Sequence, residues 1–169
     1  MGYGEMMTPD EAIPVPEDEV VAAVAEALGM RVIYYSTSGT SHSRAYPSVP
    51  LEELLAISDA VSIHAPLNER TAGLIGAAEL RRMKPTAFLL NLGRGGIVDE
   101  AALAEAVDAG MIAGAALDVY VREPLPADNP LLQVKHPERF RFTPHVAWAS
   151  REALLRLVHQ VADNIRRGF

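Results

Sequence analysis

Three side chains with complementary acid–base chemistry stand just after apolar runs of this sequence: Arg94 follows "TAFLLNLG", Glu123 lies in "VREPLP" after "GAALDVY", and His145 closes "RFRFTPH". An arginine among turn residues can present its planar fork to a carboxylate, and Gly95 and Gly96 behind it let a ligand come close to the backbone. A histidine beside a carboxylate is held charged or ready to protonate, because nearby negative charge favours the imidazolium form. A carboxylate clamp, a proton donor and a partner that orients the donor are the parts needed to reduce a 2-keto acid. Taken singly, each has a plainer role: Arg94 in a surface salt bridge, Glu123 as a solvated loop residue, His145 as a packed strand end.

The elements that would position them alternate along the chain. Short runs rich in β-branched or aromatic residues occur at 31–36 ("RVIYYS"), 60–65, 86–93, 114–120 and 139–145, and most are apolar on both faces. Helical patterns lie between them at 16–29, 50–58, 76–83 and 99–110, with a last one over 150–169. Pro16 with Glu17, Asp18 and Glu19 marks a helix start, and Gly29 and Gly110 mark helix ends. Strands alternating with helices predict an α/β fold with a mainly parallel, doubly wound sheet covered on both faces, three layers deep. In open sheets of this kind ligands bind beyond the carboxyl ends of the strands, which is where the three residues fall.

A chain of 169 residues suits one domain. Its net charge of −7 disfavours nucleic acid or an anionic membrane as partner and leaves a small molecule. The absence of cysteine excludes disulfides, thiolate metal sites and cysteine nucleophiles. His42, His136 and His159 show no ligand spacing, so no metal site is expected; His159 is expected on the solvated edge of the last helix. His64 ends the second run and is expected to line the site or serve the structure. No apolar run approaches a membrane span, and the first residues lack the basic and apolar parts of a signal peptide, so a cytoplasmic location is expected.

From about residue 28 onward the chain resembles the nucleotide-binding domain of the D-isomer-specific 2-hydroxyacid dehydrogenases. The resemblance is carried by "SDAVSIHAPLNERTAGLIG", "MKPTAFLLNLGRGGIVDEAALAEAV", "GAALDVYVREPLP" and "TPHVAWAS". It implies a Rossmann-like fold over 17–169 after an irregular segment 1–16, NAD or NADP as cofactor, and a 2-hydroxy or 2-keto acid as substrate. By the same resemblance Arg94 binds the substrate carboxylate, His145 is the acid/base, and Glu123 is its partner. Asp118 matches an aspartate near the nicotinamide, and Pro66, Leu92, Gly93 and Ala147 fall where relatives touch the cofactor.

The chain departs from that pattern at its start. The family's domain opens with a strand running into G-x-G-x-x-G, whereas "GYGEMM" has Met7 in place of the third glycine and "EAIPV" carries Pro14, which removes a ladder donor. The sheet is therefore expected to be incomplete at its first strand. Glu17, Asp18 and Glu19 would repel a pyrophosphate docking at the helix that they open, and cofactor affinity should suffer. After 31–36 the usual acidic residue is replaced by Ser36 and further hydroxyls with Arg44 nearby, a pattern open to NADP or to a mobile polar loop. The separate substrate domain of the family has no counterpart here, so a homodimer or association with another chain is expected to complete the site. Three functions stay open: an NAD(P)-dependent oxidoreductase, a non-catalytic interaction domain of that ancestry, and non-redox acid/base chemistry on a carboxylate ligand.

Overall fold

A computed structural model describes residues 17–40, 43 and 45–168; "GYGEMM", "EAIPV", His42 and Arg44 lie outside them. The elements run α1 (Glu17–Ala27), α2 (Leu51–Ile57), β1 (Ala60–Ile63), α3 (Ala77–Leu80), β2 (Phe88–Asn91), α4 (Glu100–Asp108), β3 (Gly114–Leu117), β4 (Phe140–Phe142) and α5 (Arg151–Arg167). Two 3₁₀ turns, Pro130–Leu132 and Pro137–Arg139, lie between β3 and β4. Punctuation matches local chemistry. The Asp99 carboxylate accepts from the Ala101 and Ala102 N–H groups at the start of α4, and the Ser150 hydroxyl accepts from Ala153 at the start of α5. Gly110 beyond α4 takes a positive φ of 70°, a conformation natural to glycine.

Four strands form one parallel sheet in the order β1-β2-β3-β4. The register sets Val61 beside Leu89, Leu89 beside Ala115 and Ala115 beside Phe140. This places Val61, Ile63, Leu89, Asn91, Ala115, Leu117 and Phe140 on one face, all buried. Leu55 of α2, Leu80 of α3, and Leu103 and Val107 of α4 join the same core. Among the described residues only one face is covered in this way. Ala60, Ser62, Phe88 and Arg141, in the alternate positions, are exposed, so the expectation of runs buried on both faces does not hold for β1, β2 or β4.

The segment 31–36 is not a strand, contrary to expectation. It contributes an isolated parallel bridge between Tyr34 and Ser48, in which Tyr34 N–H donates to Pro47 O at 3.1 Å and Val49 N–H to Tyr34 O at 2.9 Å. A strand is defined by its pairing, and among the described residues nothing pairs with the other edge of 31–36 or with the outer edge of β1. The same gap accounts for α1. Val20, Val21, Val24 and Leu28 are exposed, as are Leu155, Leu157, Val158 and Ile165 on α5, and neither helix packs extensively on another element.

The contrast between the covered face and the open helices has a measurable consequence. Leu89→Ala is expected to cost about 2–5 kcal/mol, because it empties a fully buried position. Leu157→Ala, half exposed on α5, is expected to change stability by no more than about 0.5 kcal/mol. Urea unfolding of the two variants checks both values.

Candidate active site

Because the strands run parallel, their carboxyl ends share one edge, and the chain leaves each of them carrying polar residues. His64 follows β1, Arg94 follows β2, Asp118 and Glu123 follow β3, and His145 follows β4. The turn after β2 is organised by Asn91, which is 1% exposed. Its amide oxygen accepts from Gly93 N–H at 3.2 Å, and its Nδ2 donates to Arg94 O at 3.0 Å, closing the turn that carries the guanidinium. Arg94 Nη1 also donates to Gly93 O at 2.8 Å. Glycine is required beyond it: a Cβ on Gly95 would lie 1.9 Å from Tyr120 O, so this turn packs directly on the backbone after β3.

His145 and Glu123 form a dyad, with Nδ1 2.7 Å from Glu123 Oε2 and both side chains 36% exposed. Glu123 Oε1 accepts from Tyr120 N–H at 3.0 Å. The His145 hydrogen bond, then the Tyr120 N–H and the imidazole charge, outweigh slight burial and hold the Glu123 carboxyl below its ordinary value. With Nδ1 turned toward the carboxylate, Nε2 is left to exchange a proton with a ligand.

His145 adopts a positive φ of 55°, unusual for a residue with a side chain. Hydrogen bonds to Asp118 hold the segment around it. Asp118 Oδ1 accepts from Thr143 Oγ1 at 2.5 Å and from Val146 N–H at 2.9 Å, and Oδ2 accepts from Ala147 N–H at 2.8 Å. Trp148 Nε1 donates to His145 O at 2.8 Å. Tyr120 adds a tie between strand ends, its hydroxyl lying 3.0 Å from both Leu117 O and Thr143 O. Burial pushes the Asp118 carboxyl up, but its three hydrogen bonds and the His145 charge outweigh this and leave it below its ordinary value.

A cleft of about 470 Å³ opens at the same edge, lined by His64, Ala65, Pro66, Leu67, Leu92, Gly93 and Arg94. Its wall is apolar at Pro66, Leu67 and Leu92 and polar at His64, whose Nε2 lies 2.8 Å from Ser62 Oγ. Pro66, Leu92, Gly93 and Arg94 are thus brought together. Ser36, Asp118 and Ala147 are not among the lining residues. Asp118 and Ala147 are joined to each other, while the Ser36 hydroxyl donates to Thr40 O at 2.5 Å within its own turn. Arg70, which the sequence did not single out, reaches that turn by donating to Ser38 O at 3.2 Å. His159 is exposed on α5. No group of three or more potential metal ligands occurs among the described residues, and no described helix is long and apolar enough to cross a membrane.

Of the organising residues, Asn91 had a signal in the sequence, a lone amide closing an apolar run. Thr143 had none, because its partner Asp118 lies twenty-five positions away.

The parallel sheet and its dyad-bearing edge define an α/β protein of the nucleotide-binding type. The family described as "D-isomer specific 2-hydroxyacid dehydrogenase, NAD binding domain" matches residues 19–147, and the chain belongs to it. It is 45% identical over 148 residues to a glyoxylate reductase of Korarchaeum cryptofilum, covering 86% of this chain and 44% of that protein. The fold is similar to that of a D-lactate dehydrogenase of Aquifex aeolicus in complex with NAD and lactic acid, with a TM-score of 0.79 and 26% identity over 88% of this chain and 49% of that one. It is also similar to an acyclic imino acid reductase in complex with NADPH, with a TM-score of 0.78 and 32% identity over 88% of this chain and 46% of that one. The chain spans less than half the length of the curated relatives it matches.

At this edge the Asp118 and Glu123 carboxyls titrate lower folded than unfolded, as Glu138 does elsewhere on the surface. Each therefore contributes stability that is complete above its unfolded pKa, about 4, and that is lost as the pH falls through the lower folded value. Stability from urea unfolding is expected to be level from pH 7 to about 5 and to decline below that. Asp118→Asn should lower stability at neutral pH and flatten the acid decline; an undiminished acid slope in the variant would show that Asp118 is not its source.

Proposed function

We propose that residues 17–169 are the dinucleotide-binding unit of an oxidoreductase that interconverts a small 2-hydroxy acid and its 2-keto acid with NAD or NADP. The observation that carries this reading is the 2.7 Å contact between His145 and Glu123 at the sheet edge that also holds Arg94 and the cleft.

Each of these groups has a distinct task. Arg94 receives the substrate carboxylate through paired N–H donors, which orients the neighbouring carbonyl. His145 Nε2 donates a proton to the carbonyl oxygen in reduction and removes it from the hydroxyl in oxidation. Glu123 holds Nδ1–H and keeps the ring in the useful tautomer and orientation. The dinucleotide, when bound, supplies or accepts the hydride at the carbon.

The residues present fit the two ends of that cofactor. Pro66, Leu67 and Leu92 offer an apolar wall for a nicotinamide ring, with Gly93 at the turn and Asp118 and Ala147 in the adjoining loop. Ser36 would meet the adenosine ribose. The 36–40 turn holds no carboxylate, and Arg70 is bonded to it, which supports acceptance of NADP as well as NAD. The pyrophosphate of the cofactor would fall near the amino end of α1, where the acidic residues argue for weak affinity. The open sheet face and the apolar residues of α1 and α5 support association with a second copy or another chain; light scattering reads this directly.

Titration with NADH and NADPH, followed by turnover of a panel of 2-keto acids, tests the reading. His145→Asn is expected to lower kcat by about 10²–10⁴-fold. Arg94→Lys should raise the KM for the keto acid by about tenfold or more, through loss of the fork. Absence of both dinucleotide binding and turnover would replace this proposal with a non-catalytic member of the family, and binding of a keto acid without any dinucleotide would point to chemistry other than hydride transfer.

A further inference from the structure

Two consecutive peptide N–H groups after β3 point at two different carboxylates. Tyr120 N–H donates to Glu123 Oε1 at 3.0 Å, and Val121 N–H donates to Glu100 Oε1 at 2.7 Å. Glu100 is the first residue of α4 and is twenty-one positions away from Val121 in the chain. Its second oxygen accepts from Asn129 Nδ2 at 2.6 Å. Asn129 is 7% exposed, and its own Oδ1 accepts from Leu131 N–H at 2.9 Å, which fixes the orientation of its amide. One carboxylate thus ties down both ends of the 121–129 loop, and Glu123 lies inside that loop.

The peptide group that Glu100 holds is also the one on which the Arg94 turn rests. A Cβ on Gly95 would meet Tyr120 O at 1.9 Å, Tyr120 C at 2.0 Å and Val121 N at 2.7 Å. If this peptide rotates, its carbonyl moves against Gly95, beside Arg94. The same rotation swings Val121 N and the chain after it, which reaches Glu123 two residues further on.

We infer that Glu100 is a positioning residue: through the Tyr120–Val121 peptide it sets the Glu123–His145 dyad and the Arg94 turn relative to each other. This rests on the reading of those three residues as the catalytic group. Glu100 touches none of the reacting atoms.

The test uses the full chain and a polarity exchange. Glu100→Gln leaves an oxygen for Val121 N–H but turns an amide donor toward the donor of Asn129, whose oxygen is committed to Leu131. Adding Asn129→Asp restores the pair with donor and acceptor exchanged. Long-range ¹H–¹⁵N spectra read the tautomer of neutral His145, and kcat is measured with NADH or NADPH and a 2-keto acid.

The wild-type ring is expected as the Nδ1–H tautomer. In Glu100→Gln it should shift to a mixture, with kcat down about tenfold or more, the scale on which small misplacements act. In the double variant both should return to within about threefold of wild type. A Glu100→Gln chain that loses urea stability while keeping its tautomer and kcat would overturn the inference, as would a folded double variant that recovers neither. Should Glu100→Gln fail to fold, Asn129→Asp alone opposes two carboxylates at the same spot, and an unchanged His145 tautomer there would also overturn it. A wild-type chain with the Nδ1–H tautomer but no turnover refutes the proposed function instead, and the tautomer series still decides the role of Glu100.

Discussion

Asp118 is 1% exposed, and its carboxyl is held below its ordinary value, so it carries charge at neutral pH. A buried carboxylate is costly unless protein donors replace water around it. The donors here come from one short segment, Thr143, Val146 and Ala147, on either side of His145. That requirement draws the end of β4 onto the end of β3. It also holds His145 at a backbone angle that few residues with side chains adopt, with the imidazole beside Glu123.

The parallel sheet makes such an arrangement reachable. With β2, β3 and β4 side by side and in the same direction, Asn91, Asp118 and Thr143 end neighbouring strands within a few residues of each other in register. A bracing side chain then fixes the loop beyond each strand. Asn91 closes the Arg94 turn, Asp118 anchors the His145 segment, and Glu100 holds the loop of Glu123 from the start of α4. Glycine at 95 lets two of these turns touch through their backbones. The site is a set of loops braced by buried or half-buried polar groups, while the apolar core below supplies a rigid floor.

Much of this was legible from residue order. The runs at 60–65, 86–93, 114–120 and 139–145 each contain a strand, because β-branched and aromatic residues bounded by turn formers fit a pleated, half-buried surface. The run at 31–36 has the same composition and forms a single bridge. Pairing is a property of two segments, and composition describes only one of them. The open alternate positions of β1, β2 and β4 among the described residues have a similar reason. Phe88 is as apolar as Leu89, yet one lies open and the other is fully buried, since burial depends on what packs above the sheet.

The order of residues alone determined the alternation of strand and helix, the helix ends at Gly29 and Gly110, and the presence of a guanidinium, a carboxylate and an imidazole just beyond strand ends. These are local properties, set by backbone sterics, hydrogen-bonding groups and the period of apolar residues. Only the tertiary structure decided that Glu123 and His145, twenty-two positions apart, stand within hydrogen-bonding distance, that Asp118 is committed to the His145 segment, and that Glu100 reaches Val121. Those contacts join distant parts of the chain, and their geometry is set by sheet register and core packing, which no single segment encodes.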